Sequence, residues 1–186
     1  MIPLPKRMFV GLMPDRATQF AIQRHCRQWH WPEGCVPTRF GRYHLTLHFL
    51  GDIVGPGTEQ RLRRALRDVA MRPLLLQLEG AQVWRNHVAV LRPREDSDLH
   101  ALHHAVGTAM TAAGFAPSAR FTPHVTLARH AQGACPPGSL APIEWRAREF
   151  VLVWSRLYPE VKPARYEIVE SFAAGGAAQD ELPLFG

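Results

Sequence analysis

Tyr43-His44-Leu45-Thr46-Leu47 returns eighty residues later as Pro123-His124-Val125-Thr126-Leu127, and both copies read His, apolar, Thr, apolar. This alternation has the period of a β-strand, on which the His and the Thr two residues later project from one face. The apolar residues between them face the other way and anchor the strand to a core. The first copy runs on through His48 and Phe49. That places His44, Thr46 and His48 on the polar face and Leu45, Leu47 and Phe49 on the apolar one. Two such strands brought side by side converge two imidazoles and two hydroxyls on one pocket.

The rest of the chain supplies a frame for them. Strand-like segments are expected at Met8 to Leu12, Leu74 to Leu78, Val88 to Leu91, Phe121 to Arg129, Trp145 to Leu157 and Arg165 to Phe172. Helical patterns lie between. One runs from Asp15, its N-cap, to Trp29. Another is capped by Thr58 and buries Leu62, Ala65, Leu66 and Val69, with Arg63, Arg64 and Arg67 facing solvent. A third opens at Asp96-Ser97, buries Leu99, Leu102, Val106, Met110 and Ala113, and stops at Gly114. Residues 31–37 and 133–142, rich in Pro and Gly, read as loops. Strands that alternate polar with apolar favour antiparallel sheets with helices on one face, so the class is α+β rather than a doubly wound parallel sheet.

With 46% hydrophobic and 20% charged residues, the chain has ordinary globular composition and excludes a disordered one. Lys plus Arg outnumber Asp plus Glu by 22 to 16, which favours polyanionic partners, nucleic acid first and anionic membrane second. Cys26, Cys35 and Cys135 lack close spacing, which argues against a disulfide framework and a Cys-rich zinc site. The first apolar run ends at Pro14 and no segment has the length of a membrane span, so a cytoplasmic protein is expected.

In-line cleavage of a phosphodiester needs one group to take a proton from the nucleophile and another to protonate the leaving oxygen. Imidazole, with an ordinary pKa near 6.5, can do either at neutral pH, and each transfer contributes about 10²–10⁴-fold. Thr hydroxyls can donate to the non-bridging oxygens as charge builds in the transition state. A five-membered cyclic phosphate is already strained, so this chemistry has no obligatory need of a metal or cofactor. The two motifs are chemically equivalent, and the residues alone leave open which histidine is acid and which is base.

The stretches His44 to Gly51 and Phe121 to Arg129, with Phe9 to Leu12 and Ser155, Arg165 and Tyr166, resemble the 2H phosphoesterases. Within them they are most similar to the bacterial and archaeal RNA 2′,3′-cyclic phosphodiesterases, also called 2′-5′ RNA ligases. The resemblance implies a bilobal, pseudo-two-fold α+β fold over residues 1–172, with two antiparallel sheets forming a central cleft, helices on the outer faces, and a flexible tail over 173–186. It implies metal-independent hydrolysis of a terminal 2′,3′-cyclic phosphate to a 2′-phosphomonoester, with reversible 2′-5′ ligation. His44 would be the general acid and His124 the general base, aided by Thr46 and Thr126. Arg129 matches an arginine that helps hold the nucleotide, although strict alternation puts it on the face opposite His124 and only a bulge or a strand end brings it round. Phe9 either stacks on a base or belongs to the core, and His48 either supports the site or fills the surface. The alternatives are an RNA-binding module without turnover and a phosphodiesterase for 2′-5′ oligonucleotides or small cyclic nucleotides.

Three further features stand apart from the motifs. His100, His103 and His104 share a helix but lack Asp, Glu or Cys in matching positions, so no metal is expected there. Arg39, Phe40, Arg42 and Tyr43 make the approach to the first motif more basic and aromatic than the resemblance implies; at a cleft mouth they would grip RNA. Leu182, Leu184 and Phe185 in the tail resemble peptides that dock on the DNA sliding clamp, and the alternative is an end folded back on its own surface. A monomer is expected.

Overall fold

A computed structural model describes residues 6–53, 57–118, 120–139, 141–156 and 165–175. Its elements are β1 (Lys6–Leu12), α1 (Arg16–Cys26), β2 (Val36–Pro37), β3 (Leu45–Ile53), α2 (Thr58–Arg67), β4 (Leu74–Val83), β5 (Ala89–Pro93), α3 (Ser97–Ala112), β6 (Val125–Arg129), β7 (Ile143–Ala147), β8 (Glu149–Arg156) and β9 (Arg165–Ala173). The strands run antiparallel in the order β7-β4-β5-β6-β3-β1-β8-β9, with β2 on β6. The α+β class is therefore as expected, but the two expected sheets are one curled sheet. Its halves, β7-β4-β5-β6 and β3-β1-β8-β9, meet among the described residues at a single pairing, Leu45 with Val125.

The helices lock the halves together. α1 follows β1 yet packs on β7, while α3 follows β5 yet packs on β3 and α2. One hydrophobic cluster results, running from Met8, Leu12 and Leu45 in one half to Leu76, Leu91, Val125 and Trp145 in the other. Asp15 caps α1 by accepting from the Thr18 N–H at 2.7 Å, and Asp96 does the same for Leu99 at the start of α3. α2 differs from expectation. Thr58 is its first residue and the cap is Gly57, at a φ of 74° that glycine adopts without strain. Arg63 and Arg67 are not simply solvated, since both pair with Glu170 and so tie α2 to β9.

Several strand limits also need correction. The pattern from Trp145 to Leu157 breaks at Arg148, where two consecutive exposed residues interrupt the alternation and the chain passes from one half to the other. Phe121 to His124 stays outside β6, and the loop over 31–37 contributes the short β2. β9 runs to Ala173, one residue past the expected tail boundary, and Leu182, Leu184 and Phe185 lie outside the described residues. Among the described residues no helix is long and apolar enough to cross a membrane.

Two bulges shape the seam. β1 pairs Val10 with His48 and then Gly11 with Thr46, which leaves Leu47 as an extra residue in β3. β5 pairs Ala89 with Ala128 and then Val90 with Thr126, which leaves Leu127 extra in β6. The extra residue thus falls three places after the histidine in both copies. Beside the first bulge a Cβ on Gly11 would stand 2.6 Å from the Leu45 carbonyl oxygen. That contact is with backbone and cannot be relieved by a rotamer change. Gly11→Ala should therefore lower stability by about 1–3 kcal/mol in urea unfolding, and an unchanged midpoint would contradict this close approach.

Candidate active site

His44 and His124 each sit one residue before a strand, at the two sides of the seam. The antiparallel bridge between Leu45 and Val125 sets His44 across from Thr126 and Thr46 across from His124. Each imidazole is therefore faced by the hydroxyl of the other motif. The rings are held alike. His44 Nδ1 lies 2.8 Å from the Arg42 carbonyl, and His124 Nδ1 lies 2.7 Å from the Thr122 carbonyl. A carbonyl only accepts, so both Nδ1 atoms carry the hydrogen and both Nε2 atoms are left free for proton transfer. Aromatic rings fix the remaining freedom. Phe9 and Tyr166 lie 4.7 and 5.1 Å from the His44 ring, and Trp84 lies 4.5 Å from that of His124.

The charge around the rings is positive. Burial pushes His44 down to about 4; the charges of His124, Arg42 and Arg129 add to this, against the Arg42 carbonyl. Burial also lowers His124, with Arg129 and Arg92 adding and the Thr122 carbonyl opposing. Arg129 thus acts on both histidines, which resolves the conflict over its face. The bulge at Leu127 turns Ala128 into the core, fully buried, and brings the exposed Arg129 round to the side of His124 and Thr126. A cavity of about 440 Å³ adjoins the seam, lined among others by Thr46, Phe49, Trp84, Phe121 and His124.

The model of the 2′-5′ RNA ligase superfamily matches residues 22–158 of this chain, a span that holds both motifs and most of the fold. The chain belongs to that superfamily. It is 34% identical over 149 residues to an RNA 2′,3′-cyclic phosphodiesterase of Geobacillus stearothermophilus, an alignment that covers 73% of this chain. The chain spans about half the length of that relative, 46%. Its fold is that of E. coli LigT in apo form (TM-score 0.76, 24% identity, 92% of this chain and 98% of that one). TT0787 of Thermus thermophilus is also similar (TM-score 0.70, 23% identity, 92% and 100%).

Against this superfamily frame two expected site residues move. The bulge at Leu47 reverses the phase of β3, so His48 leaves the face of His44 and Thr46 and is 1% exposed, while Phe49 is 53% exposed. His48 Nδ1 accepts from the Ser118 N–H at 3.1 Å and its Nε2–H donates to the His103 carbonyl at 2.8 Å. Its ring stacks on His103, which stacks in turn on Phe121, both at 4.1 Å. A Cβ at Gly107 would press on the same ring at 3.2 Å. His48 therefore pins α3 and the segment at Ser118 against β3. Phe9 is 4% exposed, packed against Val151, Val153, Tyr166 and the His44 ring, so it has no free face for a base. Arg42, expected at a cleft mouth, and Tyr166, known only through the resemblance, both stand beside His44, whereas nothing in the sequence marks Trp84 or Arg92. Arg92 comes to the seam only through the β5–β6 register, which no local pattern announces.

The hydrogen-bond partners require Nδ1–H tautomers at His44 and His124 and the Nε2–H tautomer at His48. Long-range ¹⁵N–¹H imidazole spectra at pH 7.5 should show two of one kind and one of the other. Stability should also depend on pH. His44 and His103 both fall from about 6.5 to about 4 on folding, chiefly through burial. Below pH 6.5 the unfolded chain binds the extra protons, so their contribution is full above that value and is lost as pH falls towards 4. Thermal unfolding should show the fall, and His44→Gln and His103→Gln should each flatten it.

Proposed function

We propose that the chain hydrolyses terminal 2′,3′-cyclic phosphates of RNA to 2′-phosphomonoesters through acid–base catalysis by His44 and His124. The observation that carries this reading is the matched pair of imidazoles, each held by its Nδ1–H with a free Nε2, at one arginine-flanked seam. Water attacks phosphorus as His124 takes its proton, and the bond to the 3′ oxygen breaks as His44 protonates that oxygen. The phosphate stays on the 2′ oxygen. Thr46 and Thr126 donate to non-bridging oxygens, and Arg129 offsets their growing charge. A 5′ hydroxyl in place of water would give a 2′-5′ phosphodiester by the same steps, and the reverse steps would cleave it. Without substrate both histidines are held neutral. An anionic phosphate between the rings raises their affinity for protons, so His44 takes up from solvent, as the substrate binds, the proton that it then donates.

The positive charge at the seam comes from arginines and the ring strain from the substrate, and turnover should accordingly persist in excess EDTA. An RNA oligonucleotide ending in a 2′,3′-cyclic phosphate should yield the 2′ isomer, resolved by chromatography. His44→Ala and His124→Ala should each cut kcat/KM by at least about 10²-fold. Loss of turnover in EDTA, or full activity in either variant, would sink the two-histidine reading.

A further inference from the structure

The loop before the first motif connects the seam to the outer face of α1. Arg42 lies with its guanidinium 4.6 Å from the centre of the Tyr166 ring, which itself packs on His44. The preceding residues are exposed, and the Gly41 N–H donates to Gln19 Oε1 of α1 at 2.7 Å. Phe40 meets Phe20 of α1 at 4.9 Å, and Arg16 stands 5.5 Å from the Phe20 ring. Phe20 and Phe40 are 49% and 40% exposed, so both present free ring surface. Arg24 and Arg27 extend the strip along α1, where they flank a groove beside Phe20. α1 contains no acidic residue, and among the described residues no ion pair involves Arg16, Arg24, Arg27, Arg39 or Arg42.

A face that serves only solubility mixes both signs of charge and hides its large rings. This one interleaves unpaired arginines with exposed aromatics and is continuous with the candidate active site. Unpaired cations that track a backbone, with rings on which bases stack, are the requirements of a single-stranded nucleic acid. Phe40 is only four residues from His44, at most about 14 Å of chain.

We propose that the strip of Arg39, Phe40, Phe20, Arg16 and Arg24 is the track for the single-stranded RNA that precedes the terminal cyclic phosphate, so the substrate is an oligonucleotide rather than a mononucleotide. The inference rests on the chemistry proposed for the seam. The nucleotide at the 3′ end occupies the seam, the upstream strand leaves past Arg42, its phosphates meet Arg39, Arg16 and Arg24, and a base stacks on the Phe20–Phe40 pair.

The test compares a 12-nucleotide RNA bearing a 2′,3′-cyclic phosphate with the corresponding nucleoside 2′,3′-cyclic phosphate, in wild type, Arg16→Glu/Arg39→Glu and Phe20→Ala/Phe40→Ala. The oligonucleotide should be the better wild-type substrate in kcat/KM. Each double variant should lose about tenfold or more on it while retaining mononucleotide turnover, which also reports correct folding. Anisotropy of the same RNA, labelled at its 5′ end, gives a readout independent of turnover. The charge-reversed variant should bind more weakly, and the slope of log K against log salt should shrink by about 0.7 for each phosphate that is no longer neutralised. If neither substrate turns over, the proposed chemistry fails and the binding arm still decides the track. Equal wild-type kcat/KM for the two substrates, or RNA affinity unchanged in both variants, would overturn the track and leave the strip to a protein or membrane surface.

Discussion

Among the described residues, the pairing of Leu45 with Val125 is the one point at which strands of the two halves of the sheet pair, and the site depends on it. An antiparallel bridge places the residue before one partner across from the residue after the other. Applied to two copies of His-x-Thr, that rule converts a repeat along the chain into a crossed quartet, each histidine facing the other copy's threonine. The sheet alone is too narrow at this point to hold the halves at a fixed angle. The exchange of helices does that: α1 and α3 each leave one half and pack on the other, and the common core keeps the quartet assembled.

The bulges explain why the two copies support a site rather than two regular strands. A strand that continued in phase past Thr46 and Thr126 would keep alternating. The extra residue at Leu47 and at Leu127 instead places two consecutive side chains on the core side. In the first copy these are Leu47 and His48, and in the second Leu127 and Ala128, all at most 2% exposed. The next residue then returns to the cleft, as Phe49 in one half and Arg129 in the other. Equivalent positions thus deliver an apolar ring on one side and a cation on the other.

Local pattern carried the strands, the caps at Asp15 and Asp96, the antiparallel class and the two histidines, because each depends on residues adjacent in sequence. It failed where pairing decides. His48 looks like a third member of the polar face of β3, and only its register against Val10 reveals the bulge that buries it. Trp84 stands alone before a turn, and Arg92 is one arginine among many, until β5 pairs with β6. Arg63 and Arg67 look solvated because Glu170, their partner, lies over a hundred residues away. Phe9 was legible as an aromatic in a first strand but not as a support for a ring in another strand.

The two half-sites share a motif, a tautomer and a bulge, yet their surroundings differ in a way that bears on their roles. His44 sits on a small apolar cluster of Phe9, Val151, Val153 and Tyr166, and its pKa is pushed to about 4. His124 borders the 440 Å³ cavity, with Thr122 and Arg129 exposed beside it. An imidazole in apolar surroundings gains a proton more readily when an anion is close, which in the proposed reaction suits His44 to the acid role once phosphate is bound. An imidazole at the edge of an open cavity is reached by water and can accept a proton from it. Where environments push two like groups apart, they also divide the acid and base roles between them. In the proposed reaction that difference suits His124 to the base role and His44 to the acid role, an order that the identical motifs leave undetermined.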